Sequence, residues 1–187
     1  MAATESAKPT YLGLLNAIAV GESRGGELLS AWTRATPQAD VRAVLEVVAI
    51  REREHGAAFA KRLCELGFSV REKPNERFGQ DLAYASSTRS DQDKFEHILR
   101  YHEAPPTDVL TTLFRDETID PETGTLLGRF IAEERDSERR LRAYYKVVCA
   151  RQPAADEADD ALLRGLTERL DRLTSTLAEI RALQRSA

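Results

Sequence analysis

Four polar side chains interrupt the apolar faces of segments that are otherwise patterned as amphipathic helices. They are Glu22 in the first segment, Glu52 and His55 in the second, and Glu134 in the last long one. Each stands where the three- and four-residue steps of the pattern require a core side chain. Isolated buried carboxylates cost several kcal/mol each, a cost that a bound cation would remove. Carboxylates with an imidazole suit iron or manganese, and zinc is also compatible.

These residues also fall at one depth along the axis of a bundle if the segments pair as hairpins. Glu22 lies about 14 residues before the first turn and Glu52 about 15 after it, so both are roughly 22 Å from that turn. Glu134 lies about 15 residues after the second turn. His102, about 17 residues before that turn, is a further candidate ligand. The alternative is an ordinary charged helix face, or pairing of the carboxylates with buried arginines.

Two long helices form the first hairpin that would position these residues. The apolar periodicity predicts helices over residues 11–35 and 37–66. Thr36 is the expected N-cap of the second helix, with a proline in its first turn. The connection over residues 68–90 is rich in turn residues and long enough to cross to the other end of a bundle. Part of it has the pattern of a short helix.

A second hairpin follows this connection. Ser90 is the expected N-cap of the third helix, which is interrupted near residues 105–106 by two prolines. Asp120, followed by proline and glutamate, is a strong start signal for the fourth helix, predicted to reach about residue 149 and to end at Pro153. The sequence therefore predicts an all-α four-helix bundle over residues 1–152.

The remaining residues, 153–187, have a different pattern. Apolar side chains recur there at alternating steps of three and four, as in a heptad seam: Leu163, Leu166, Leu170, Leu173, Leu177 and Ile180. About three heptads are marginal for an isolated coiled coil. The segment either pairs with a second copy of the chain or packs as a fifth helix on its own bundle, and we favour the homodimer.

Composition excludes several classes of protein. The 187 residues carry 27 basic and 31 acidic side chains that are interleaved, so no basic patch indicates a nucleic-acid partner. No apolar run approaches the ~20 residues that span a bilayer, and the N-terminus has no signal-peptide pattern. Two isolated cysteines, Cys64 and Cys149, form no metal or disulfide motif. We therefore expect a cytoplasmic protein that is not bound to a membrane.

Two segments resemble a known family. Residues 16–23 (NAIAVGES) and 52–56 (EREHG) are similar to the first-helix and ExxH motifs of the rubrerythrin-like branch of the ferritin-like superfamily. The resemblance implies a ferritin-like bundle with a long crossover and an iron centre, with Glu22, Glu52 and His55 in one half-site and Glu134 bridging from the other. Residues 134–137 align with 52–55 but place Ser137 where a second histidine is expected, so one or two ions fit.

Two functions follow from this reading. The first is a di-iron carboxylate oxidoreductase acting on dioxygen, peroxide or Fe(II), with an external electron donor because the four-cysteine rubredoxin module of many rubrerythrins is not found in this sequence. The alternative is a degenerate ferritin-like bundle that serves as a non-catalytic dimeric binding or scaffold module. Iron storage is a weaker third option, since a protruding tail is awkward for a closed shell. Whether the chain is an enzyme is open at this point.

Overall fold

The described part of the chain is entirely helical. The computed structural model describes the backbone of residues 9–102 and 118–185, and the side chains of residues 9–102, 118–151 and 162–169. The helices found there are α1 (Leu12–Ala35), α2 (Ala39–Glu65), α3 (Glu76–Ala85), α4 (Asp91–Ile98) and α5 (Pro121–Arg185). The predicted all-α class is confirmed for these residues. Among them, no helix is both long enough and apolar enough to cross a membrane.

The first hairpin has the predicted helices but a different turn. α1 and α2 lie within about two residues of the predicted bounds, and Gly67 ends the hairpin with a positive φ of 83°. Thr36 is not the N-cap of α2, so that prediction is wrong. Gln38 occupies the N-cap position, while the Thr36 hydroxyl donates a hydrogen bond of 2.6 Å to Asp91. A tertiary contact thus takes the side chain that a local cap would use.

Two glycines allow α1 and α2 to approach each other closely. A Cβ atom on Gly56 would lie 3.0 Å from the backbone nitrogen of Ser23, and one on Gly26 would lie 3.2 Å from that of Arg53. Both contacts are with backbone, which a side-chain rotation cannot relieve. Gly56 follows His55 and Ser23 follows Glu22, so this close contact also sets how near those two residues come.

The core joins α1, α2 and the first part of α5. Leu15, Phe59 and Phe130 are representative, with 5% or less of their surface exposed. Phe59 meets Phe130 edge to face at 5.3 Å between ring centroids. Burying each such side chain contributes about 1.5–3 kcal/mol. The predicted stripes of the three helices therefore do form one apolar core.

The segment that follows α2 is fastened to α1 before its short helices begin. Asn16 exchanges two hydrogen bonds with the backbone of Arg71, and Arg24 binds the Glu72 carboxylate and the Lys73 carbonyl. The predicted cap at Ser90 is confirmed, since its hydroxyl accepts a hydrogen bond from a backbone N–H in the first turn of α4. The predicted interruption at residues 105–106 lies outside the described residues.

α5 begins where predicted and ends much later. The Asp120 carboxylate accepts the backbone N–H of Thr123 at 3.0 Å and thus caps the helix. The predicted end at Pro153 is wrong, because the helix continues to Arg185. An internal proline removes one backbone hydrogen bond but does not have to end a helix, and the residues around it (AADEADDALL) include good helix formers.

The contacts divide the chain into two compact units, one ending at Tyr145 and the other beginning at Lys146. The predicted boundary near residue 152 stays a prediction. Within the second unit, Leu163 and Leu166 of the proposed heptad seam are 61% and 48% exposed. The rest of that seam lies outside the described side chains.

Candidate metal centre

Three helices each contribute one side chain to a single cluster. Glu22 of α1, His55 of α2 and Glu134 of α5 each place one ligand atom so that all three atoms lie within 4.8 Å of one another. His55 Nδ1 is 3.2 Å from Glu22 Oε2 and 3.4 Å from Glu134 Oε1. The His55 side chain is only 4% exposed. Three of the five predicted ligands are therefore brought together.

Glu52 lies beside this cluster, against α1. Its carboxyl group is close enough to Glu22 and Glu134 for their negative charges to raise its pKa. Its Oε2 occupies the space beside Gly25 that a Cβ atom would otherwise fill. Glu52 is thus a third carboxylate at the centre, and Gly25 is the residue that makes room for it.

The other ring nitrogen of His55 has its own partner, which the sequence analysis missed. Nε2 lies 2.7 Å from Glu133 Oε2. Glu133 follows Phe130 by three residues and Glu134 follows it by four, so both steps of the helical pattern point inward. Histidines that bind metals usually donate their second N–H to a carboxylate or carbonyl, which fixes the ring orientation. Glu133 is placed to accept that hydrogen bond.

The electrostatics show how strongly the cluster favours positive charge. Burial alone would lower the pKa of His55, but its contacts with Glu134, Glu22 and Glu133 raise it to about 10. Burial, with repulsion from Glu22 and Glu134, raises the pKa of Glu52 to about 9. Burial and the Glu134 charge also raise the pKa of Glu22. Without metal, the cluster therefore retains protons at neutral pH to reduce its negative charge.

One oxygen remains unsatisfied even so. Glu134 Oε1 is buried and has no hydrogen-bond partner within the described part of the chain. The Nδ1–H of His55 lies nearer to Glu22, so the 3.4 Å separation from Glu134 is an ionic contact rather than a well-formed hydrogen bond. A buried acceptor without a donor costs about 1–3 kcal/mol or more when charged. A cation bound beside Glu134 Oε1 would remove this cost.

The donor set fits a divalent transition metal. Ligands at about 2.1 Å from a shared ion lie roughly 3.0–3.4 Å from their neighbours, close to the two distances measured from His55 Nδ1. Oxygen ligands with one imidazole suit iron, manganese or zinc. Glu22, His55 and Glu134 would hold such an ion, with Glu52 within reach.

The remaining predictions for the site have different outcomes. His102 is exposed and does not belong to the cluster. Ser137 is 2% exposed, and Arg51 of α2 donates hydrogen bonds to it and to Asp136. Of the arginines considered as partners for the carboxylates, Arg24 instead binds Glu72. For Arg24, the structure therefore favours the cluster over the alternative in which the carboxylates pair with buried arginines.

Comparison with known proteins identifies no matching family model, no curated protein with significant similarity and no solved structure with a significant match. The resemblance to the ferritin-like superfamily therefore stays a prediction.

Proposed function

We propose that this chain is a metal-binding helical protein whose centre is formed by Glu22, His55 and Glu134, with Glu52 as a third carboxylate. The observation that supports it most directly is the buried, unsatisfied Oε1 of Glu134 beside an imidazole and two further carboxylates. If these residues had only a structural role, neutral side chains in their place would make the protein more stable.

The chemistry we propose is that of a ferritin-like oxidoreductase. Bound iron would supply one-electron redox chemistry toward dioxygen or peroxide, or Fe(II) itself would be the substrate. The residues of the chain have separate tasks. Glu133 holds the His55 ring through Nε2, Glu52 carries a proton next to Glu22, and Phe130 covers the imidazole edge to face at 5.2 Å. Electrons would come from a separate donor protein, and a cytoplasmic location accords with the two free cysteines.

Metal analysis tests the proposal directly. Protein purified from iron-supplemented cells, and chelated protein titrated with Fe(II) under argon, should both contain iron. His55→Ala should weaken binding at least 100-fold because it removes the only imidazole of the cluster. His97→Ala is the matched control, since His97 is half exposed and stacks on Tyr84. A metal-free preparation that also ignores added Fe(II) would remove the proposal.

A non-catalytic dimeric module is a second candidate, favoured by the exposed leucines of the second unit. Leu162, Leu163 and Leu166 are 48–63% exposed, and the last two begin the heptad seam. Such a seam would pair with a second copy of the chain. Light scattering on Leu163→Glu/Leu166→Glu should then give the monomer mass, whereas Arg164→Glu should leave the dimer intact. A wild-type chain that is already monomeric would exclude the dimer.

A further inference from the structure

We infer that the centre holds a single ion, because Arg51 binds Ser137, the residue that aligns with His55 and would have to serve as a ligand of a second ion. The inference rests on the proposed metal site. Arg51 precedes Glu52 on α2 and lies one helical turn from His55. Its Nη1 donates to Asp136 Oδ2 at 2.8 Å and to Ser137 Oγ at 3.3 Å.

The partners of Arg51 are the counterparts of ligands in the other half of the chain. Residues 134–137 (ERDS) align with residues 52–55 (EREH), so that Ser137 corresponds to His55. Ser137 is buried, and its hydroxyl accepts from Arg51 instead of offering a lone pair to a metal. A neutral hydroxyl is also a poorer ligand for a transition metal than imidazole. The second half therefore lacks the donor that the first half has.

Asp136 cannot replace that donor. Besides Arg51, it accepts hydrogen bonds of 2.6 Å from both Arg139 and Arg140. Its negative charge is thus fully committed to arginine.

The charge of Arg51 is permanent. A guanidinium stays protonated at any pH at which the protein is folded, so it cannot be displaced by deprotonation as a lysine or histidine could. Divalent ions within one helical turn of it would be repelled, and the repulsion is stronger where water is excluded. The ion held by Glu22, His55 and Glu134 would bind despite this repulsion because three ligands face it.

Counting bound ions tests the inference. Chelated wild-type protein titrated with Mn(II) should bind one ion per chain and give the electron paramagnetic resonance spectrum of an isolated ion. Two ions, or the spectrum of a spin-coupled pair, would overturn the single-ion inference while supporting the metal site. No binding of either Mn(II) or Fe(II) would instead overturn the proposed function, and the inference with it.

The role of Arg51 is tested by variants. Arg51→Leu should tighten Mn(II) binding roughly three- to tenfold at low salt, and less at high salt, because a nearby positive charge is lost. Arg53→Leu is the control. It removes the same charge from α2, but from an exposed side chain bound to Ser30 of α1, and should change affinity less than twofold.

A second pair of variants addresses the ligand and the cation separately. Ser137→His alone should still bind one ion, whereas Arg51→Leu/Ser137→His should bind a second. Thermal melting of each variant shows whether it is folded. Two ions in Ser137→His alone, or unchanged affinity in Arg51→Leu, would show that Arg51 is not what excludes the second ion.

Discussion

Replacing Glu52 by glutamine should stabilise the protein when metal is removed. Burial, with repulsion from Glu22 and Glu134, raises the pKa of this carboxyl to about 9, from 4.5 in a solvated reference. Between these two values the folded chain holds a proton that the unfolded chain releases. Stability contributed by this position is therefore greatest at acid pH and is lost progressively as the pH rises toward 9.

The size of the stability change follows from the pH range between the unfolded and folded pKa values of Glu52. One pH unit corresponds to about 1.4 kcal/mol, and pH 7 lies about 2.5 units above the unfolded value, so Glu52 lowers stability by about 3 kcal/mol at pH 7. Glutamine has no proton to lose and retains an N–H donor for Glu22. Glu52→Gln should therefore gain about 2–3 kcal/mol at pH 7 and almost nothing near pH 5.

Urea unfolding followed by circular dichroism, in chelator at pH 5, 6, 7 and 8, measures this gain. Glu54→Gln is the control, because the Glu54 side chain is 60% exposed and should change stability by less than about 0.5 kcal/mol. With Mn(II) present the order should reverse, since wild type gains more from the ion. If Glu52→Gln is no more stable than wild type at pH 7, or its advantage does not grow with pH, Glu52 carries no buried proton.

Three further changes test other parts of the structure. Gly56→Ala should destabilise the chain by about 1 kcal/mol or more in chemical unfolding, because the added methyl group meets the backbone of α1. Gly21→Ala is the control and should stabilise the chain by about 0.5–1 kcal/mol, because there is open space around Gly21. Equal effects of the two substitutions would contradict the close helix contact. Glu133→Gln should weaken Mn(II) binding about 10- to 100-fold in calorimetry, because His55 loses a charged hydrogen-bond partner. Unchanged affinity would show that Glu133 does not orient the His55 ring. Asp120→Ala should lower the free energy of unfolding by about 2 kcal/mol or more. The effect should be smaller at strongly acid pH, because hydrogen bonds outweigh burial and lower the pKa of Asp120, so that its carboxylate becomes protonated only there. A melting curve identical to that of wild type at pH 7 would contradict this.

Local patterns were enough to locate most helices. The apolar steps of α1 and α2 and the caps at Ser90 and Asp120 are determined within a few residues of sequence, and all were confirmed. Two local predictions were wrong, the N-cap at Thr36 and the helix end at Pro153. The Thr36 hydroxyl binds Asp91, which is 55 residues away, and no local rule anticipates that contact.

The candidate centre was predictable in outline because, in a helical hairpin, residues at equal distances from the turn lie at the same depth along the bundle axis. That argument found Glu22, His55 and Glu134. It also placed His102 at this depth, but α4 ends at Ile98 and the backbone at Arg100 has a positive φ of 53°, so helical rise does not fix the position of His102.

The same argument also missed Glu133 and Arg51. Periodicity identifies a helix face, whereas the packing of neighbours decides which of two adjacent side chains reaches an imidazole.

Other buried charges in this chain show why the cluster is unlike an ordinary structural network. Asp91 is 3% exposed and accepts hydrogen bonds from Trp32 and Thr36. Arg62 is 9% exposed and donates to four side chains at the start of α5 and the end of α2. Both are fully paired, as buried charges in stable folds must be.

Glu134 departs from that rule within the same core, where one of its oxygens has no hydrogen-bond partner among the described residues and interacts with Glu22 and Glu52, whose pKa values are raised mainly by burial. The ionic contact of this oxygen with His55 Nδ1, at 3.4 Å, does not replace the missing hydrogen bond. The arrangement is destabilising for the chain alone and would become favourable if, as we propose, a cation bound between Glu22, His55 and Glu134.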